Sequence, residues 1–139
     1  MKYNYLNIYN NLIKLTRNKN LYLNLEKDDT FHERLIFLFL HLALFFKHFK
    51  SSISSKNLQE LFDFIFKQIE ISIREIGYGD VSVNKKMKDF INLFYSIVES
   101  IETMDLTKKV NHSNFIKKYL NTDKNLDFYV DYFAKYRIF

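Results

Sequence analysis

The sequence contains no cysteine, no proline and no tryptophan, and its 139 residues include only two glycines. The lack of cysteine excludes disulfides, thiolate catalysis and cysteine-ligated zinc. Because proline is absent and glycine is scarce, helices can run long, and polar clusters must separate them. The first residues also lack the cationic start, apolar run and small-residue cleavage site of a secretory leader. We therefore expect a reducing, cytosol-like compartment.

Positive charge is in excess, with a formal net charge of +5 and an isoelectric point of about 9.2. This balance suits an anionic partner such as nucleic acid, a ribosome or a membrane surface. Lysine, asparagine, isoleucine, tyrosine and phenylalanine are abundant, and lysine far outnumbers arginine, which is typical of an AT-rich genome. A lysine-coated, solvated exterior is therefore the competing explanation of the charge.

The longest apolar run covers residues 35–46 and is interrupted only by His41. A membrane-spanning helix needs roughly 20 apolar residues, so this run is too short to cross a bilayer. We expect a buried core helix here, with an interfacial or partner-binding helix as the alternative. His41 is then expected to be a core histidine with one hydrogen bond.

Hydrophobic periodicity near 3.6 residues recurs along the chain, and no segment alternates as a strand would. The pattern predicts an all-α fold, a single-domain helical bundle of about five to six helices. A Thr30-x-x-Glu33 capping box begins the second helix, the third follows a polar loop, and the fourth follows the two glycines. Asp63/Lys67 and Glu70/Arg74 are expected i,i+4 ion pairs on the third helix. The predicted helices cover residues 4–17, 30–50, 57–76, 83–103, 113–121 and 125–137.

Motifs for catalysis and for metal or cofactor binding are missing from the sequence. His41 and His48 lie two helical turns apart, too far to share one metal ion. No HExxH, P-loop, GxGxxG or GxSxG pattern occurs. We therefore predict a protein that is not an enzyme, with no catalytic residue, no metal site and no cofactor.

Both glycines lie in one short segment, IREIGYGDVSVNKKMK, at residues 73–88. Gly77 follows the last apolar residue of the third helix, where a left-handed cap is common. Gly79 allows a second bend, and Asp80 or Ser82 is expected to cap the next helix. We call residues 74–80 the glycine corner.

Charged side chains are concentrated at the glycine corner, beyond what a connection between helices requires. We predict an ion pair between Arg74 and Asp80 across it. Arg34 is the alternative partner, because it begins an apolar helix and must find an anion or water. The residues expected close together at this turn are Arg74, Glu75, Tyr78, Asp80 and Lys85.

Residues 58–95, LQELFDFIFKQIEISIREIGYGDVSVNKKMKDFINLFY, resemble the centre of the ubiquinol–cytochrome c chaperone family. A second similar segment, DDTFHERLIFLFLHL, lies upstream, and the family-like core runs from about residue 21 to 104. Residues that depart from the family pattern are Glu33, Leu35, Glu70 and the pair Ser96-Ile97. The matching residues are Asp29, Thr30, Arg34, Leu40, His41, Leu61, Phe62, Asp63, Arg74, Glu75, Gly77, Gly79, Asp80, Ser82, Val83, Lys85 and Lys88.

The resemblance implies one chaperone domain over residues 1–139, a non-catalytic assembly factor for the respiratory bc1 complex that binds newly made cytochrome b. It implies a ribosome or a small helical co-chaperone as further partners, and no DNA. It implies a cytoplasmic location with peripheral association at the inner membrane, or the mitochondrial matrix for an organellar member. A client would require an apolar surface, which we expect on the second and fourth helices.

Two other functions are left open by the residues themselves. One is an RNA- or ribosome-binding helical module that uses the cluster Lys85, Lys86 and Lys88 at the start of the fourth helix. The other is a structural protein that dimerises through its second helix.

Overall fold

The computed structural model describes residues 4–23, 25, 31–105 and 107–135. Within these ranges the chain is helical and contains no strand, so the predicted all-α bundle is confirmed. One helix more than expected is present, because the short α2 occupies part of the stretch interpreted as a connection. The described helices are α1 (Tyr5–Thr16), α2 (Lys19–Leu23), α3 (Phe31–Phe49), α4 (Ser55–Ile76), α5 (Asp80–Thr103), α6 (Lys109–Leu120) and α7 (Leu126–Lys135).

The central element is α3, which packs against α1, α5 and α6. Every side chain of residues 35–44 is buried, as a helix that is apolar all round requires. The prediction of a core helix is therefore confirmed. The expectation that this helix offers a client surface is wrong for residues 35–44, because these side chains already contact the rest of the chain.

The helix starts differ in how they are capped. Ser54 caps α4 by accepting a hydrogen bond from the backbone N–H of Asn57 at 3.2 Å. The predicted cap at Thr30 lies outside the described residues. The prediction that Asp80 or Ser82 caps α5 is wrong. Gly79 occupies the N-cap position without a side-chain hydrogen bond, and Asp80 lies inside the helix.

Gly77 ends α4 in the left-handed conformation, with φ at 111°, as its position in the sequence predicts. Its N–H donates to the carbonyl oxygen of Arg74 at 3.0 Å. Gly79, two residues later, has φ at −74° and an extended backbone. Only the first of the two glycines therefore needs the conformational freedom of a residue without a Cβ atom.

Gly77→Ala should lower the free energy of unfolding by about 1–2 kcal/mol, because an L-residue is strained at this φ. Gly79→Ala is the matched control and should change it by only a few tenths. A Cβ atom would meet nothing within 4 Å at either position, so crowding does not separate the two variants. Urea unfolding measures both, and equal losses would show that positive φ is not the cause.

Candidate binding site at the α4–α5 hairpin

A groove of about 510 Å³ runs between α4 and α5. Its floor is apolar and consists of Phe62 and Phe66 from α4 and of Met87 and Ile91 from α5. Its rim is polar on both sides, so an apolar partner would find a contact surface bordered by hydrogen-bonding groups. The rim residues are Asp63, Lys67, Glu70, Asn84, Lys88 and Asn92.

Aromatic stacking forms the floor of the α4–α5 groove. Phe62 and Phe66 lie one helical turn apart, with ring centroids 4.4 Å from each other. Tyr95 stacks on Phe62 at 5.7 Å with an interplanar angle of 3°, and about half of its surface is exposed. Met87 adds a flexible thioether, which adapts to partners of different shape. The floor thus continues from the core to an exposed aromatic ring.

A chain of ion pairs follows the α4 side of the rim to the glycine corner. Lys67 contacts Glu70 at 3.2 Å, Glu70 contacts Arg74 at 3.3 Å, and Arg74 donates to the carboxylate of Asp80. The predicted Arg74–Asp80 and Glu70/Arg74 pairs are therefore confirmed. The prediction of an Asp63/Lys67 pair is wrong, because Asp63 instead accepts a hydrogen bond from the side-chain amide of Gln59 at 2.9 Å.

These contacts shift the titration of the two central groups. Hydrogen bonds from Lys67 and then from Arg74 hold the pKa of Glu70 below its usual range. The hydrogen bond to Asp80, followed by that to Glu70, raises the pKa of Arg74. Glu70 and Arg74 are thus both charged at neutral pH, and the contact of Arg74 with Asp80 links the end of α4 to the start of α5.

Asp80→Asn should lower the melting temperature by about 1–2 °C at low salt, because the Arg74–Asp80 pair is exposed and worth little. The difference should vanish in about 1 M salt, where charges are screened within about 3 Å. Asp63→Asn is the control, since Asp63 bonds to an amide rather than to a cation. Equal salt dependence of the two variants, measured by circular dichroism, would contradict a role for the ion pair.

The lysines that follow the glycine corner differ in their contacts. The Lys86 ammonium lies 4.6 Å from the ring centroid of Tyr78, in a cation–π arrangement. Lys85 is exposed on α5, and Lys88 is exposed where it forms part of the groove wall. Glu75 is exposed at the end of α4. The three lysines of the predicted cluster, Lys85, Lys86 and Lys88, therefore differ in exposure and in contacts.

Two of the predicted site residues do not belong to the hairpin. Arg34 lines a different cavity, together with residues of α1. His41 is buried in α3, where its Nδ1–H donates to the carbonyl oxygen of Phe37 at 2.6 Å. Its Nε2 accepts from the hydroxyl of Tyr132 in α7 at 2.7 Å. His41 is a core residue as expected, but with two hydrogen bonds rather than one.

The titration of His41 follows from this burial. Desolvation lowers its pKa to about 4, and the hydrogen bond to the Phe37 carbonyl opposes this change. Tyr132 lies 91 residues away in sequence, so no local pattern could identify it as the partner. The neutral imidazole joins the last described helix to the centre of the bundle.

The described ranges contain neither a metal-binding cluster nor a membrane-spanning helix. No three side chains of histidine, aspartate or glutamate there come close enough to share a metal ion. Among the described helices, none combines the length and apolar character that crossing a bilayer needs.

The family model described as Ubiquinol-cytochrome C chaperone matches residues 24–116, which are 93 of the 139 residues. The match includes α3, α4 and α5 and therefore the whole α4–α5 groove and the glycine corner. α1 and α7 lie outside it. No curated protein and no solved structure matches the chain.

Proposed function

The chain belongs to the ubiquinol–cytochrome c chaperone family, and on that premise we propose that it is a non-catalytic chaperone that binds newly synthesised cytochrome b for assembly into the bc1 complex. The family match supports the general chaperone role. The α4–α5 groove supports the choice of client, because it lies within the matched residues and has the apolar floor that a membrane protein would need.

An apolar helix that has not yet entered the bilayer must cover its side chains or aggregate. A groove with an apolar floor and a polar rim is a common way to bind one face of such a helix. The volume of about 510 Å³ holds a few side chains rather than a whole helix. We therefore propose that one or two large apolar side chains of the client anchor on Phe62, Phe66 and Met87.

The ion pairs from Lys67 to Asp80 give the groove a defined width in this proposal. Among them the Arg74–Asp80 pair joins α4 to α5 and favours one geometry of the corner, so the two groove walls lose less freedom when the client binds. Preorganisation of this kind lowers the entropic cost of binding. The glycine corner then has a positioning role, while the client contacts the floor of the groove.

Met87→Glu should reduce the recovery of cytochrome b roughly tenfold, because it places a carboxylate on the apolar floor without a partner. The measurement is a pull-down of the tagged chain from crosslinked membranes, quantified by mass spectrometry. Val110→Glu in α6 is the matched control, since Val110 is exposed and lies outside the groove. Cytochrome b recovered equally with both variants would exclude the groove as the client site.

Removal of the gene tests the function apart from the site. We expect the amount of bc1 complex to fall while other membrane complexes keep their normal levels. Unchanged bc1 levels would contradict the proposed function, whatever the groove binds. We place the action of the protein at the cytoplasmic face of the inner membrane, or on the matrix side if it is organellar.

Binding to the ribosome and to a small helical co-chaperone is still a prediction. Exposure of Lys85 and Lys88 is compatible with an anionic partner such as ribosomal RNA. Lys86 lies over Tyr78 and is correspondingly less available. RNA binding therefore remains the alternative function, and a steep salt dependence of ribosome co-sedimentation would identify it.

A further inference from the structure

A second cavity, of about 280 Å³, lies between α1, α3 and α4, on a different face of α4 from the groove. Apolar side chains form much of its wall, among them Leu35 and Leu38 of α3 and Ile69 of α4. Arg17, which directly follows α1, and Arg34 of α3 also line it. We call this space the arginine cavity.

Arginine is scarce in this chain, which makes the pairing informative. The sequence has four arginines among 21 basic residues, at positions 17, 34, 74 and 137. A coding bias toward lysine does not explain why two of the four meet at one cavity. None of the described residues that line the cavity is acidic, so its wall offers positive charge against an apolar surface.

The two aliphatic hydroxyl groups of the cavity, those of Thr16 and Ser72, have partners within their own helices. Thr16 donates to the carbonyl oxygen of Ile13 at 2.7 Å, and Ser72 donates to that of Gln68 at 3.0 Å. Each guanidinium carries five N–H donors in a planar fork, so it can bind an anion in addition to the contacts that it already makes. Arg17 and Arg34 therefore supply the charged donors of the cavity, and the Asn10 amide and the Tyr9 hydroxyl add neutral ones.

The phenol of Tyr9 also lines the cavity, beside Arg17. Burial raises the pKa of Tyr9, and the positive charge of Arg17 opposes that rise. The two side chains are thus electrostatically coupled at the same wall. An anionic group placed there would meet the guanidinium and a neutral hydroxyl at neutral pH.

We propose that the arginine cavity binds a single-chain amphiphile with an anionic head, a fatty acid or an alkyl phosphate. The head group lies on Arg17 and Arg34, which bind carboxylate and phosphate through paired hydrogen bonds. The alkyl chain lies on Leu35, Leu38 and Ile69. A volume near the lower end of ligand pockets suits one short chain rather than a two-chain phospholipid.

This site is independent of the proposed function and uses part of the chain beyond the family match. Arg17 and α1 precede residue 24, where the match begins. A ligand there would bridge α1 to the central helix and to α4. The expected consequence is a folded state stabilised in proportion to ligand occupancy.

Calorimetric titration of the full chain at neutral pH tests the proposal, with decanoate, decyl phosphate and decanol as probes below their micellar concentrations. Decanoate or decyl phosphate should bind with a stoichiometry near one, and their relative affinity identifies the head group. Decanol, which lacks the charge, should bind at least about tenfold more weakly. Equal binding of decanol, or no binding of either anion, would overturn the proposal.

Two cavity variants and one control variant separate a specific site from general uptake of detergent-like molecules. The double change Arg17→Gln/Arg34→Gln should weaken binding of the anionic probe by about 10–100-fold, while Arg74→Gln at the glycine corner should leave it unchanged. Ser72→Met, which fills the cavity with a helix-compatible side chain, should abolish binding and keep the recovery of cytochrome b. Unaltered titration of either cavity variant would refute the site without touching the chaperone proposal.

Discussion

Phe94→Ala is expected to lower the free energy of unfolding by about 3–5 kcal/mol, the usual loss for a fully buried aromatic ring. Phe94 is 1% exposed and is the point where α3, α4 and α5 meet. Its loss leaves a cavity lined by rings of α3 and α4, which cannot all move inward together. The ring lies within 6 Å, centroid to centroid, of Phe39, Phe46, Phe62 and Phe66.

Tyr95→Ala provides the matched control, because the adjacent ring is 53% exposed and stacks mainly on Phe62. It should cost about 1 kcal/mol, the scale of one aromatic pair. Urea unfolding at low temperature measures both variants. If Phe94→Ala costs no more than Tyr95→Ala, the three helices do not share one aromatic core.

Phe94→Ala is also expected to affect client binding, because Phe62 and Phe66 of the groove floor pack against Phe94. Without that support the two rings can tilt into the new cavity, and the floor becomes uneven. We therefore expect Phe94→Ala to weaken client binding even where the variant remains folded. Tyr95→Ala should weaken it only through the exposed edge of the groove.

Acidification from pH 7 to pH 4 is expected to remove about 3 kcal/mol of stability through His41 alone. The folded chain keeps His41 neutral down to its pKa of about 4, whereas the unfolded chain takes up a proton near 6.5. Between these values unfolding binds a proton, so the free energy of unfolding falls by up to about 1.4 kcal/mol per pH unit. The contribution is complete above pH 6.5.

The double variant His41→Leu/Tyr132→Phe isolates this effect. It removes both polar partners together and so leaves no buried group unpaired between them. Carboxylates titrate in both proteins, and the difference between their pH profiles therefore reports His41. Parallel loss of stability in both proteins between pH 6.5 and 4 would show that the imidazole is not held neutral by the fold.

Local patterns predicted the parts of this molecule that depend on neighbouring residues. The positive φ of Gly77 follows from its place one residue after the apolar stripe of α4. The Arg74–Asp80 pair follows from the short separation of its members across a tight corner. The long apolar run around His41 predicted the central helix, because no other environment suits such a surface.

Other features of the protein could be identified only from the three-dimensional arrangement of the helices. α2 is only five residues long and has no periodic stripe, so composition could not distinguish it from a loop. Asp80 is a good capping residue by type, yet Arg74 binds its carboxylate and the chain enters α5 one residue earlier. In the sequence, Met87 and Ile91 belong to the same apolar stripe as the other core-facing residues of α5. Only the packing of α4 beside them shows that they line a groove.

The sequence by itself determined the helical class, the central helix and the turn at Gly77, because each depends on spacing along one segment. Only the tertiary structure decided that Tyr132 is the partner of His41, that Phe94 of α5 packs among rings of α3 and α4, and that two arginines share a cavity. These contacts join elements whose separation and rotation are set by packing of the whole core. No single segment carries that information, and the binding surfaces of this protein are formed by such contacts.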